Sequence, residues 1–258
     1  MQFFQTEHAQ QLILSFAILL NLWDFEANSN EALLDLCINF KFKEKGIDFD
    51  EFIIKYKLHN AKLWNLYQVD KISQQDLRRE RFQRALSDFG VNDFNLSKSI
   101  GEEYIEICPR KTKLFPYTFE LLDYLKSKYS LHIITNGFDK VQHIKLEQSK
   151  LMPYFDKIIT SEKSGFKKPN PEIFRYALEI TRSSKNDSLY IGDDLNVDIL
   201  ACQRFGIDGV FFNPNNQKHT KTYVLSNSGG HFGEPIVEEI HLNTGQVLAT
   251  SHSKLPGI

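Results

Sequence analysis

Cysteine is scarce in this chain, and what there is does not cluster. Three residues, Cys37, Cys108 and Cys202, are spread over 258 positions. Their odd number and wide spacing exclude a disulfide framework and any Cys-based metal knuckle, and fit reduced thiols in a cytoplasmic protein. Charge of one sign is not in excess either: 31 Lys and Arg stand against 33 Asp and Glu, for a net charge of -2. No electrostatic footprint for nucleic acid or an anionic membrane surface follows from that balance. The basic run "LRRERFQR", Leu77 to Arg84, reads as one solvated helix face. The longest apolar run, Leu12 to Leu20, is too short to span a bilayer. No Lys or Arg precedes it, as a secretory signal would require. Acids are also missing there: none lies between Glu7 and Asp24.

What the chain does have is a change of period. From Glu26 to Arg110 the apolar residues recur at helical spacing, with Gly46 and Gly90 as punctuation, which predicts about four helices. After Pro116 short apolar segments without alternation, "LHIIT", "DKIITS", "SLYIGD" and "GVFFN", are separated by helical stretches. That pattern predicts an α/β fold with a doubly wound parallel sheet buried on both faces. Leu12 to Leu20 fits as one more buried strand, so the helical block is an insertion after the first strand. The expected organisation is an α/β core over 1–25 and 111–225, a helical cap over 26–110, and a divergent, loosely ordered Gly-rich tail over 226–258. Asn170 and Pro171 predict the start of a capped helix.

Three strand ends carry polar residues. In "IITNG" the hydroxyl of Thr135 and the backbone at Asn136 and Gly137 suit a grip on phosphate oxygens, although the same triplet is an ordinary turn sequence. In "GFKKPNPEIF" Lys168, ahead of a proline and a capped helix, can present one fixed positive charge, whereas most lysine pairs are simply solvated. In "YIGDDLNVD" the carboxylates Asp193, Asp194 and Asp198 fall within about one helical turn. They repel one another unless Mg²⁺ or Lys168 lies between them.

Together and in this order the three resemble the later motifs of the haloacid dehalogenase superfamily. The phrases "NLWDFEANSNEALLDL", "LHIITNGF" and "KKPNPEIF" are similar to its helical-cap branch that includes pyrimidine 5'-nucleotidases. The resemblance implies a Rossmann-like core, Mg²⁺-dependent hydrolysis of phosphate monoesters, and a small phosphorylated metabolite or nucleotide as partner. It also implies catalytic roles for Thr135 and Lys168, phosphate contacts from Asn136 and Gly137, and metal ligation by Asp193, Asp198 and Asp194.

The resemblance fails at the first motif. The family opens with Asp-x-Asp-x-Thr, and anchoring on Leu22, Trp23, Asp24 and Phe25 sets Ala17 and Leu19 at the two aspartates and Asn21 at the threonine. Alanine cannot attack phosphorus or ligate a metal, and leucine cannot transfer a proton. The expectation is a phosphatase-like protein that is inactive as written, with Mg²⁺ affinity weakened and Lys168 free to pair with Asp193 or Asp194. The alternatives are an active 5'-nucleotidase with another carboxylate in the site, or a non-enzymatic module that keeps the fold. Departures at both ends around a well-patterned middle are also what local reading-frame changes produce.

Overall fold

Short runs of Ile, Leu and Val between helical stretches form parallel strands in the computed structural model, which describes residues 13–16, 22–213, 239–241 and 246–248. Ala17 and Leu19 lie outside the described residues. The strands are β1 (Ile13–Phe16), β2 (Ser130–Thr135), β3 (Lys157–Thr160), β4 (Ser188–Gly192) and β5 (Asp208–Phe211). They stand in the order β3-β2-β1-β4-β5 and run parallel. The first strand in sequence is thus central in the sheet, with Phe16 level with Ile133 on one side and Ile191 on the other. From Leu131 to Thr135 every residue of β2 is buried, as a strand covered on both faces must be.

In the tail, expected to be divergent and loosely ordered, two short segments are described. Two three-residue strands, β6 (Glu239–His241) and β7 (Gln246–Leu248), extend the sheet beyond β5, β6 parallel and β7 antiparallel to it. Edge pairing of this kind is made by backbone groups, so no side-chain period announces it.

The chain divides into two compact units. One comprises Met1–Asn21, Pro116–Thr135 and Pro153–Ile258; the other comprises Leu22–Phe115 and Asn136–Met152. In the first, α5 (Thr118–Lys126), the single turn α7 (Ser161–Ser164), α8 (Glu172–Thr181) and α9 (Leu200–Phe205) accompany the sheet. Ile134, Ile159, Phe174, Tyr190 and Cys202 form its apolar centre. Helix α8 starts as the sequence predicts: Pro171 already has helical backbone angles, and Asn170 Oδ1 accepts from the Glu172 N–H at 3.0 Å.

The second unit holds α1 (Phe25–Asn39), α2 (Phe49–Gln68), α3 (Gln74–Ser87) and α4 (Phe94–Ile107), together with α6 (Asp139–Gln148). Helix α6 falls in a stretch that the sequence reading grouped with the α/β core. In packing it belongs here, because Phe138 and Val141 join Leu63, Tyr67 and Leu77 in one apolar cluster. Each of the first four helices begins at a carboxylate or hydroxyl cap: Asp24, Asp48, Ser73 and Asp93 accept from backbone N–H groups of the first turn. Asn28 locks the unit's entrance to its exit, donating to the carbonyls of Asp24 and Lys113 and accepting from the Lys113 N–H.

One expectation for α3 is corrected. Arg79 and Arg84 lie on its outer side in surface pairs with Asp76 and Glu80, but Arg81 is buried over the rings of Phe82 and Tyr104. It is four residues from Leu77 and four from Ala85, so helical spacing sets it on the inward face.

Candidate functional site

Strands β2, β3 and β4 all end at the carboxyl edge of the sheet, where open α/β folds bind ligands. Thr135 closes β2 and is buried, as is Asn136 after it; Gly137 follows and leads into α6. Thr160 closes β3 beside Thr135 and caps the turn α7 by accepting from the Lys163 N–H. The chain then reaches Lys168, whose peptide bond to Pro169 is cis.

Lys168 is not one of a solvated pair. Its Nζ is buried and donates to Asp198 Oδ1 at 2.6 Å and to the Tyr190 hydroxyl at 3.0 Å. Its partner is therefore Asp198 rather than Asp193 or Asp194. The cause is a turn of π-helix over Leu195–Ile199, which carries Asp198 back over the end of β4. Gly192 makes room for this return: a Cβ there would stand 2.4 Å from Asp198 Cβ. Asp194 starts the turn, its Oδ1 accepting from the N–H groups of Asn196 and Val197. The Asp194 N–H in turn donates to Asp198 Oδ2 at 3.1 Å.

Tyr190 completes the group. Its hydroxyl donates to Asp198 Oδ1 at 3.2 Å, and burial, with the Asp198 charge next, holds its pKa well above the usual phenol range. Sequence reasoning missed it. The signal was there, since Tyr190 is two residues before Gly192 and so shares its face of the strand.

The three acids thus have different jobs. Asp198 is committed to Lys168 and Tyr190, and one oxygen of Asp194 to the turn it caps. Asp193, half-buried, is pushed up to about 7 by burial first and then by the neighbouring charge of Asp198. An all-oxygen donor set suits a hard cation such as Mg²⁺. Among the described residues, however, no group of three His, Cys, Asp or Glu side chains is placed to hold a metal ion. The fit is partial, with Asp193 the carboxylate of this motif left for a cation.

A parallel sheet with helices around it and a lysine, a phenol and clustered carboxylates at its carboxyl edge defines a Rossmann-like α/β core with a polar site at its strand ends. Residues 47–212 match the family of haloacid dehalogenase-like hydrolases, and the chain belongs to that family. It is 32% identical to the pyrimidine 5'-nucleotidase PynA of Streptococcus pneumoniae over 78% of this chain and 83% of that protein. It is also 32% identical to the pyrimidine 5'-nucleotidase YjjG of Escherichia coli, over 75% of this chain and 83% of that one. The crystal structure of the HAD-hydrolase YfnB of Bacillus subtilis, bound to magnesium, superposes with a TM-score of 0.73 at 29% identity, covering 80% of this chain and 91% of YfnB.

Proposed function

We propose that this protein binds a small phosphate monoester of the nucleoside 5'-monophosphate class at the carboxyl edge of its sheet and does not hydrolyse it. The observation that carries the reading is the buried Lys168, fixed by Asp198 and Tyr190 where it can meet a phosphate oxygen. Thr135 Oγ and the backbone N–H groups at Asn136 and Gly137 are the complementary donors. Asp193 would hold Mg²⁺, which when bound supplies positive charge to a phosphoryl oxygen. The resemblance to PynA and YjjG supports a nucleotide over a sugar phosphate.

Binding is where the chemistry stops. Strand β1 ends at Phe16, and the next residues along the chain offer Ala17 and Leu19 in place of the two family aspartates. A methyl group has no lone pair for attack on phosphorus, and an isobutyl group has no proton to give the leaving oxygen. Loss of the nucleophilic carboxylate also removes a negative charge that repels the phosphate dianion.

The test is phosphate release from dUMP, dTMP and an aryl phosphate, with and without Mg²⁺, alongside calorimetric titration of dUMP. The expected result is dUMP binding without turnover, with turnover gained in the double variant Ala17→Asp, Leu19→Asp. Mg²⁺-dependent turnover by the unmodified chain would place another carboxylate at phosphorus. Absence of both binding and turnover would favour a fold kept for its surface alone.

A further inference from the structure

The helical unit contains a cavity of about 80 Å³ whose walls carry both charge and aromatic rings. Phe25, Trp64 and Tyr104 supply ring faces; Arg81, Gln142 and Lys145 supply polar groups. The three polar side chains are 6%, 5% and 6% exposed for Arg81, Gln142 and Lys145. Buried cations are ordinarily paired with carboxylates. Among the described residues neither of these is: Lys145 Nζ rests over the ring of Trp23 at 3.9 Å, and the Arg81 guanidinium rests over Tyr104 at 4.6 Å. Such ring contacts offset only part of the cost of removing a cation from water. Arg81 Nε and Gln142 Oε1 also have no hydrogen-bond partner. Burial, followed by the like charge of Arg81, pulls the Lys145 ammonium down to about 8, which leaves it mostly protonated at neutral pH.

Two buried cations, an unpaired guanidinium N–H and flat apolar walls together lack one complement, a planar group bearing negative charge. We propose that this cavity is a binding site for a small aromatic anion, its charged oxygens meeting Arg81 and Lys145 and its ring lying among Phe25, Trp64 and Tyr104. Of the residues placed at the phosphate site only Gly137 borders it. Lys168, Asp193 and Thr135 do not, so the two sites are separable by mutation. The volume, room for a few water molecules, sets the size at a single ring.

Of the chain's two tryptophans, Trp64 lines the cavity and Trp23 carries the Lys145 ammonium on its ring, so intrinsic fluorescence reports on the site. Benzoate is the probe, with benzamide to remove the charge and inorganic phosphate to remove the ring. We expect benzoate to change the tryptophan emission saturably and to give binding heat, with benzamide and phosphate far weaker. Lys145→Met and Arg81→Met should each weaken benzoate by about tenfold or more, the size of one lost contact to a charged donor. Lys145→Arg keeps the charge and should bind, which covers the case in which the methionine variants fail to fold. Asp193→Asn, at a half-buried carboxylate that does not border the cavity, should leave benzoate binding unchanged. The proposal is overturned if benzoate gives no saturable signal, if benzamide binds as well as benzoate, if a folded Lys145→Met keeps full affinity, or if a folded Asp193→Asn abolishes binding.

Discussion

Lys168 and Asp198 lie thirty residues apart in sequence and meet at 2.6 Å with both side chains sealed from solvent. Such a pair is costly to assemble and costlier to break, because removing one partner strands the other charge in a medium that cannot solvate it. Lys168→Met is therefore expected to destabilise the fold by about 3–5 kcal/mol in urea unfolding. The double variant Lys168→Met, Asp198→Leu should recover much of that loss. Equal stability of the single and double variants would mean that the pair is not energetically coupled.

Gly192 is the seat on which Asp198 rests, so Gly192→Ala tests the packing without altering any charge. The added methyl would stand 2.4 Å from Asp198 Cβ, and the π-helical turn must shift to relieve it. A loss of about 1–3 kcal/mol is expected, the usual range for overpacking. An unchanged melting temperature would show that the turn yields freely.

The acid limb of stability carries a mark of His132. This residue of β2 is buried with Nδ1 unpartnered, and burial lowers its pKa from 6.5 to about 4. Between those values the unfolded chain binds the proton and the folded chain does not, so stability falls as pH drops from about 6.5 to 4. The contribution is roughly 3 kcal/mol at full titration, from about 1.36 kcal/mol per pH unit. His132→Leu should flatten this part of the urea midpoint against pH, and a slope identical to that of the unmodified chain would count against the assignment.

Lys145 gives the opposite limb its own signature. With the folded value near 8 and the unfolded value at the ordinary 10.5, the unfolded state again holds the extra proton, so this group makes the protein more stable as pH rises above 8. The thiols of Cys37 and Cys202, raised by burial, act in the contrary direction above about 9. Comparison with Lys145→Met isolates the lysine: the stability of the unmodified chain relative to the variant should rise steadily from pH 8 to 10, and a constant difference would contradict it.

Period and punctuation made the architecture readable. The four apolar segments after Pro116 became β2 to β5 within one or two residues, and Asn170 with Pro171 marked the start of α8. Lys168 and the three acids were legible for the same reason, since each follows a strand. What stayed hidden depends on three-dimensional return paths. That Lys168 takes Asp198 is decided by a π-helical turn, and that Tyr190 joins them is decided by strand pairing. Arg81 read as part of a solvated face, and nothing singled out Lys145, because helix sequences show periodicity but not which neighbour covers a given face. The placement of Ala17 and Leu19 at the first motif rests on the resemblance of their surroundings alone.

The position of β1 has a consequence for how the molecule is made. The strand emerges first from the ribosome, yet Ile13 must wait for Ser130 and Ser188 before either edge has a neighbour. Until then a stretch of apolar backbone is nascent and unpaired while the α1–α4 segment, rich in short-range contacts, is synthesised behind it. The keystone of the sheet is thus its oldest piece, and the interval before it is set in place is a window for chaperone capture or aggregation that a short circular permutation, starting the chain at residue 116, would close.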